Sequence, residues 1–273
     1  MVAALALCGT RGAWCERPGS VRGYFDDGSP EDLRRTFRAA WREVAPDLPA
    51  PEVRIHPVPE RDWLAPFRAA ARPVAIGERL WVTPPGTAPE GGWDPHAIVI
   101  TILPGQGFGT GTHPTTRALL RWLEVEPGFT TVLDIGTGSG VLALAALALG
   151  ARRAVGLDVD LAALENAAVN RRLNDAPALA LVGGSTRALR EGVRFDRVVA
   201  NLDHAALESL VPELVRRVAS GGRLGLAGLL EGEEGTIVAL AARAGWELAV
   251  SSVEADPATG DRWWSGWFRA GDC

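Results

Sequence analysis

Residues 132–140 read Val-Leu-Asp-Ile-Gly-Thr-Gly-Ser-Gly, and their surroundings make the glycines informative. An apolar run, Thr131 to Ile135, enters the cluster, and an Ala/Leu-rich run, Val141 to Leu149, leaves it. Glycines this dense are needed where backbone approaches a ligand closely or takes positive φ. A strand that turns sharply into a helix also points free N–H groups at whatever lies in the crevice. A second glycine-rich stretch precedes it, Pro104-Gly105-Gln106-Gly107-Phe108-Gly109-Thr110-Gly111-Thr112-His113-Pro114-Thr115-Thr116.

From Thr115 onward strands and helices alternate. The pattern predicts a helix over Thr115–Leu123, then strand Thr131–Ile135, helix Val141–Leu149, strand Arg153–Leu157 and helix Leu161–Leu173. Strands follow at Leu179–Val182 and Phe195–Asn201, then helix His204–Val218, strand Arg223–Ala227, helix Gly235–Ala244 and two closing strands, Trp246–Glu254 and Trp263–Arg269. Such alternation means an α/β fold with a doubly wound, mostly parallel sheet of Rossmann-like type, helices on both faces, and an antiparallel hairpin at its end.

The N-terminal part reads differently. Gly12–Glu16 and Val21–Phe25 flank Arg17-Pro18-Gly19-Ser20, a hairpin signature. Ser29 then sits where an N-cap belongs, with Pro30, Glu31 and Asp32 in the first turn of a helix whose apolar stripe is Leu33, Phe37, Ala40, Trp41 and Val44. Val53–Val58 reads as another strand. These features divide the chain into a small α/β module over 1–58, a Pro- and Trp-rich connector over 59–103 and a cofactor domain over 104–273. The connector carries an expected short helix over 62–71 and strands Arg79–Thr83 and Ala97–Leu103.

Composition excludes several classes. The chain has 273 residues with a formal net charge of -5, so no polyelectrolyte attraction to nucleic acid is expected. All 28 basic residues are arginine. Cys8, Cys15 and Cys273 form no CxxC pair, and the four histidines have no ligand spacing, so neither disulfides nor a metal are expected. No apolar run reaches the roughly 18 residues of a membrane span, and no signal peptide is legible. The expectation is a cytoplasmic monomer.

Gly136, Gly138 and Gly140 spell GxGxG, and Val141 stands where a dinucleotide fingerprint has its third glycine. That disfavours NAD and points to the related layout that binds S-adenosylmethionine. Asp158 follows about twenty residues on, at a strand end, where a carboxylate can accept both ribose hydroxyls. It could equally cap the helix at Leu161, and Asp160 is its neighbour with the same options. Asn201 ends another strand, where its amide can offer a carbonyl to a substrate amine or simply start an Asx turn. Asp203 and His204 follow directly. Thr115 and Thr116 open a helix, a place suited to a carboxylate or to plain capping. Phe108 is free to pack on a cofactor or on the core.

The run GFGTGTHPTT, followed by VLDIGTGSGVLALAALALGA, GLDVD and VVANL, resembles the ribosomal protein L-eleven methyltransferases, the PrmA family. Arg61-Asp62-Trp63, Ile76 to Val82 and Ala227-Gly228-Leu229-Leu230-Glu231 extend the likeness over most of the chain. The resemblance implies a class I methyltransferase fold and S-adenosylmethionine contacts at Thr116, Gly136, Asp158 and Asn201. It also implies N-methylation of lysine side chains, and sometimes the α-amine, of a ribosomal large-subunit protein recognised by the N-terminal module. That module is ferredoxin-like in the family, and residues 1–58 lack its opening strand and most of its first helix. Two further departures are Leu103, where the family usually carries an acid, and Asp203-His204, where it carries small or apolar residues. The expected site is therefore Thr116, Gly136, Gly138, Gly140, Asp158 and Asn201, with Asn201 also orienting the amine. Rivals are a methyltransferase for another protein or a small amine, and a non-catalytic cofactor- or ribosome-binding module.

Overall fold

The computed structural model describes residues 1–17, 20–26, 28–57, 70–105 and 109–271. The Pro18-Gly19 turn, Phe108 and all but the last two residues of the expected 62–71 helix lie outside them. The chain divides into two compact units, Met1–Arg61 and Asp62–Cys273.

The first unit holds helix α1 (Val2–Leu7), strands β1 (Gly12–Arg17) and β2 (Ser20–Tyr24), and helix α2 (Pro30–Val44). β1 and β2 pair antiparallel, as the sequence predicts. Ser29 caps α2 by accepting the Asp32 amide, with Pro30 in the first turn. Ala4 of α1 packs with Phe37, Ala40 and Trp41 of α2, and Val53 joins them. The expected strand over 53–58 does not form in its described part. Residues 51–56 alternate in exposure as a strand would, but they have no ladder. The hairpin is a closed two-stranded pair, and Pro57 removes a donor from the candidate strand.

The second unit is built on a seven-stranded sheet of order β11-β12-β10-β9-β6-β7-β8. Its members are β6 (Thr131–Ile135), β7 (Arg153–Asp158), β8 (Leu179–Gly183), β9 (Phe195–Asn201), β10 (Val218–Leu230), β11 (Trp246–Ala255) and β12 (Arg262–Ala270). The five strands β6 to β10 run parallel, and β12 inserts antiparallel between β10 and β11. Helices α3 (Pro114–Val125), α4 (Val141–Ala148), α5 (Leu161–Leu173), α6 (His204–Leu214) and α7 (Glu234–Arg243) complete the alternation. Two boundaries differ most from expectation. α6 stops at Leu214 and gives way to a short tight turn, with Pro212 one turn earlier unable to supply a helical N–H. β10 begins at Val218, since the Gly221-Gly222 pair that reads as a loop lies inside it.

The period of two in the strands sorts side chains into two cores. Val132 of β6 and Val199 of β9 join α3 and α4 on one face. Leu133, Ile135, Val198 and Ala200 join α6 and α7 on the other. Val141 to Ala146 of α4 are all buried, so that helix is apolar on every side. The connector belongs to the first of these cores. Its strands β3 (Val74–Ala75), β4 (Leu80–Thr83) and β5 (Ile98–Thr101) form a separate three-stranded sheet whose Leu80, Val82 and Ile100 pack with Leu119 and Leu123. Glu124 of α3 fastens it. Its carboxylate accepts the amides of Glu78, Arg79 and Leu80 at 3.1, 2.7 and 3.0 Å. Gly77 makes this possible, because a Cβ there would lie 1.7 Å from the carboxylate.

Candidate functional site

β6 runs to β7 and β8 on one side, while β9 lies on its other side, so the winding reverses between β6 and β9. Ligands of open α/β sheets bind at the carboxyl ends of strands at such a point. A cavity of about 330 Å³ lies there, lined by Gly109, Thr116, Gly136, Thr137, Gly138, Val141, Leu142, Asp158, Asp160, Ala163, Asn201, Leu202 and Asp203.

The glycine turn is held by neighbours on both sides. Gly136 and Thr137 both donate their amides to Leu157 O of β7 at 2.9 Å. Gly136, Gly138 and Gly140 have φ of 69°, 53° and 83°, so each needs glycine. A Cβ on Gly136 would lie 2.4 Å from Leu202 Cδ2, and one on Gly228 would lie 2.2 Å from Leu202 O. Leu202 is therefore wedged between the turn and β10, which fixes the Asn201–Asp203 segment at the cavity wall. Gly140 lies elsewhere: it starts α4, and its Cα faces Ala167 of α5.

Asp158 and Asp160 divide the options that the sequence leaves open. Asp160 caps α5 by accepting the Ala162 amide at 2.9 Å. Asp158 instead accepts Gly138 N at 2.9 Å through Oδ2 and Asp160 N at 3.0 Å through Oδ1, so it braces the glycine turn from the cavity side. At the other end of the cavity Asp203 caps α6 through Ala206 N. Asn201 is thus free of capping duty, and its Nδ2 donates to Thr116 Oγ1 at 3.2 Å. That bond leaves the amide oxygen as the acceptor Asn201 can offer.

α3 begins at Pro114, with His113 at the N-cap making no side-chain capping bond, so Thr115 and Thr116 lie in the first turn and do not cap. Thr115 Oγ1 lies 2.7 Å from His113 Nδ1. Burial pushes the His113 imidazole below its ordinary value, against the pull of Asp256 3.8 Å away, which favours the neutral ring.

A family model described as "Ribosomal protein L11 methyltransferase (PrmA)" matches residues 14–257. The chain belongs to that family. The ribosomal protein L11 methyltransferase of Chromohalobacter salexigens is 40% identical over 228 residues, covering 82% of this chain and 74% of the relative. That of Cupriavidus necator is 39% identical over 233 residues, covering 83% and 72%. Among solved structures, the ribosomal protein L11 methylase of Lactobacillus delbrueckii subsp. bulgaricus aligns with a TM-score of 0.64 at 26% identity, over 74% of this chain and all of that one.

Five of the six residues expected at the site of this PrmA-family chain, Thr116, Gly136, Gly138, Asp158 and Asn201, line the one cavity. Sequence reading passed over Thr137, Leu202 and Asp134. Asp134 is 1% exposed in the middle of the sheet. Its Oδ2 accepts Thr137 Oγ1 at 2.8 Å and Ala143 N at 3.3 Å, tying the glycine turn to α4. Burial pushes its carboxyl up to about 7. The signal was an acid inside the otherwise apolar Thr131–Ile135 run.

Proposed function

We propose that the cavity binds S-adenosylmethionine and that the chain transfers its methyl group to amines of a ribosomal large-subunit protein of the L11 type, lysine side chains foremost. The supporting observation is the convergence of a glycine turn, a strand-end carboxylate and a strand-end amide on one cavity at the winding reversal of an L11 methyltransferase family chain. The charge balance agrees. The described lining residues include three carboxylates, Asp158, Asp160 and Asp203, and no basic side chain, which suits a cationic sulfonium.

When bound, the sulfonium supplies an already activated methyl group, so the chain's work is positional. In this reading Asp158 accepts the ribose hydroxyls with lone pairs left beside its two backbone bonds. The Gly136–Gly138 backbone lies against the methionine portion, Gly140 keeps α4 close to α5, and Thr116 with the free amides of the α3 start receives the carboxylate. Asn201, its Nδ2 held by Thr116, turns its oxygen to the incoming nitrogen and orients it in line with the methyl. A lysine amine, ordinarily protonated to near pH 10.4, must lose its proton first; an apolar wall such as Leu202 disfavours the charged form and water carries the proton away. Residues 1–58 form the module that recognises the protein substrate.

Asp158→Ala removes both the brace on Gly138 and the ribose acceptor. The expected result is S-adenosylmethionine binding weakened by roughly a hundred-fold in calorimetry. Unchanged affinity would contradict the assignment.

A further inference from the structure

Three asparagines, Asn166 and Asn170 on α5 and Asn174 at its C-cap, stand one helical turn apart and grip the chain where it leaves β5. Asn174 accepts Thr101 N at 2.8 Å and donates to Thr101 O at 2.6 Å. Asn170 accepts Leu103 N at 2.8 Å, and Asn166 donates to Leu103 O at 3.2 Å. The spacing is natural: four helical residues rise about 6 Å and two strand residues about 6.6 Å, so alternate strand residues meet successive turns.

Asn170 differs from its neighbours. It is fully buried, and its Nδ2 donates to Ser139 O at 2.9 Å, inside the glycine turn. Ser139 in turn donates its Oγ to Gly109 O at 2.6 Å, in the middle of the first glycine-rich stretch. One amide therefore joins the end of the connector to the glycine turn, and the turn holds the chain again six residues later. Each half of the Asn170 amide is committed, so Ser139 O cannot shift without disturbing Leu103.

We propose that Asn170 is a positioning residue for the cofactor turn, coupling the setting of Gly136–Gly140 to the backbone at Leu103. The inference rests on the reading of the cavity as the S-adenosylmethionine site. Asn170 touches no reacting atom in this account; it acts through Ser139.

The test compares Asn170→Asp with Asn174→Asp. Each keeps an oxygen to accept its strand amide and loses the N–H donor, but only the first loses a bond to the glycine turn. Calorimetry with S-adenosylhomocysteine should show roughly ten-fold weaker binding for Asn170→Asp and little change for Asn174→Asp. As pH falls, the introduced buried carboxyl takes up a proton and regains a donor for Ser139 O, so its affinity should recover. Asn170→Ala, with nothing to protonate, should not recover. Equal losses for the two Asp variants, wild-type affinity in Asn170→Asp, or the same pH response in Asn170→Ala would overturn the proposal. Should the Asn170 variants fail to fold, hydrogen exchange on the wild-type chain decides. Added S-adenosylhomocysteine should slow the Leu103 amide and leave Thr101 unchanged; equal or absent slowing overturns the coupling. A wild-type chain that does not bind S-adenosylhomocysteine contradicts the cofactor reading, and this inference with it.

Discussion

Asp134 shows how one buried group writes a pH dependence into the site. Its neutral form is favoured in the folded chain, with the carboxyl pushed up to about 7 from an ordinary value of 3.8. The stabilisation this gives is present in full below about pH 4 and is lost as pH rises toward 7. Asp196 and Glu213, held below the ordinary carboxylate range by their hydrogen bonds, act in the opposite sense at lower pH. The difference between wild type and Asp134→Asn isolates the effect. An asparagine oxygen can still accept from Thr137 and Ala143 but does not titrate. The variant should gain thermal stability relative to wild type between pH 5 and pH 8, read as a melting-temperature difference that widens with pH. A constant difference would contradict the assignment. The glycines beside it were legible in sequence, because positive φ and close approach leave a one-letter mark. Asp134 was not, since burial and partners are properties of the folded sheet.

At the scale of elements, Glu124 carries more than its position on α3 suggests. Three backbone N–H groups of residues 78–80 converge on it, which fastens the three-stranded connector sheet to the helix that also presents Thr116. Glu124→Ala leaves those amides without their acceptor and should cost about 2–4 kcal/mol in denaturant unfolding. A loss below about 0.5 kcal/mol would mean that water replaces the carboxylate at no cost. The alternation of β6 through α5 was readable because its strands are apolar runs and its helices follow immediately. α1 was missed because six residues with one buried alanine make too short a pattern. The expected strand over 53–58 failed for the converse reason. Its composition is strand-like, but a ladder needs a partner edge, which is a tertiary fact. The α5 asparagines read as ordinary polar helix residues, and only the strand end packed against them gives them work.

For the molecule as a whole, the two units have separate cores. Among the described residues, the apolar clusters on either face of the seven-stranded sheet include none from the first unit, whose own cluster has Ala4, Phe37, Ala40 and Trp41 buried. A unit of that size is marginal alone, whereas the larger one has ample apolar surface to bury. A chain of residues 62–273 should therefore melt near the full-length temperature and bind S-adenosylmethionine with unchanged affinity. It should methylate the protein substrate at least roughly a hundred-fold more slowly, the loss in kcat/KM being recognition energy. Retained methylation would remove the substrate-recognition role from the first unit. The cofactor half of the account was readable from short motifs, because backbone geometry around a small ligand is local. The acceptor half was not, since a protein substrate is recognised by a surface. The central claim is methyl transfer to that substrate, and its most direct measurement uses labelled S-adenosylmethionine with purified L11-type ribosomal protein beside whole-cell lysate, followed by mass spectrometry of the labelled species. The account predicts label on lysine nitrogens of the ribosomal protein in both samples. Label on a different protein or small amine, or no label despite bound cofactor, would contradict it.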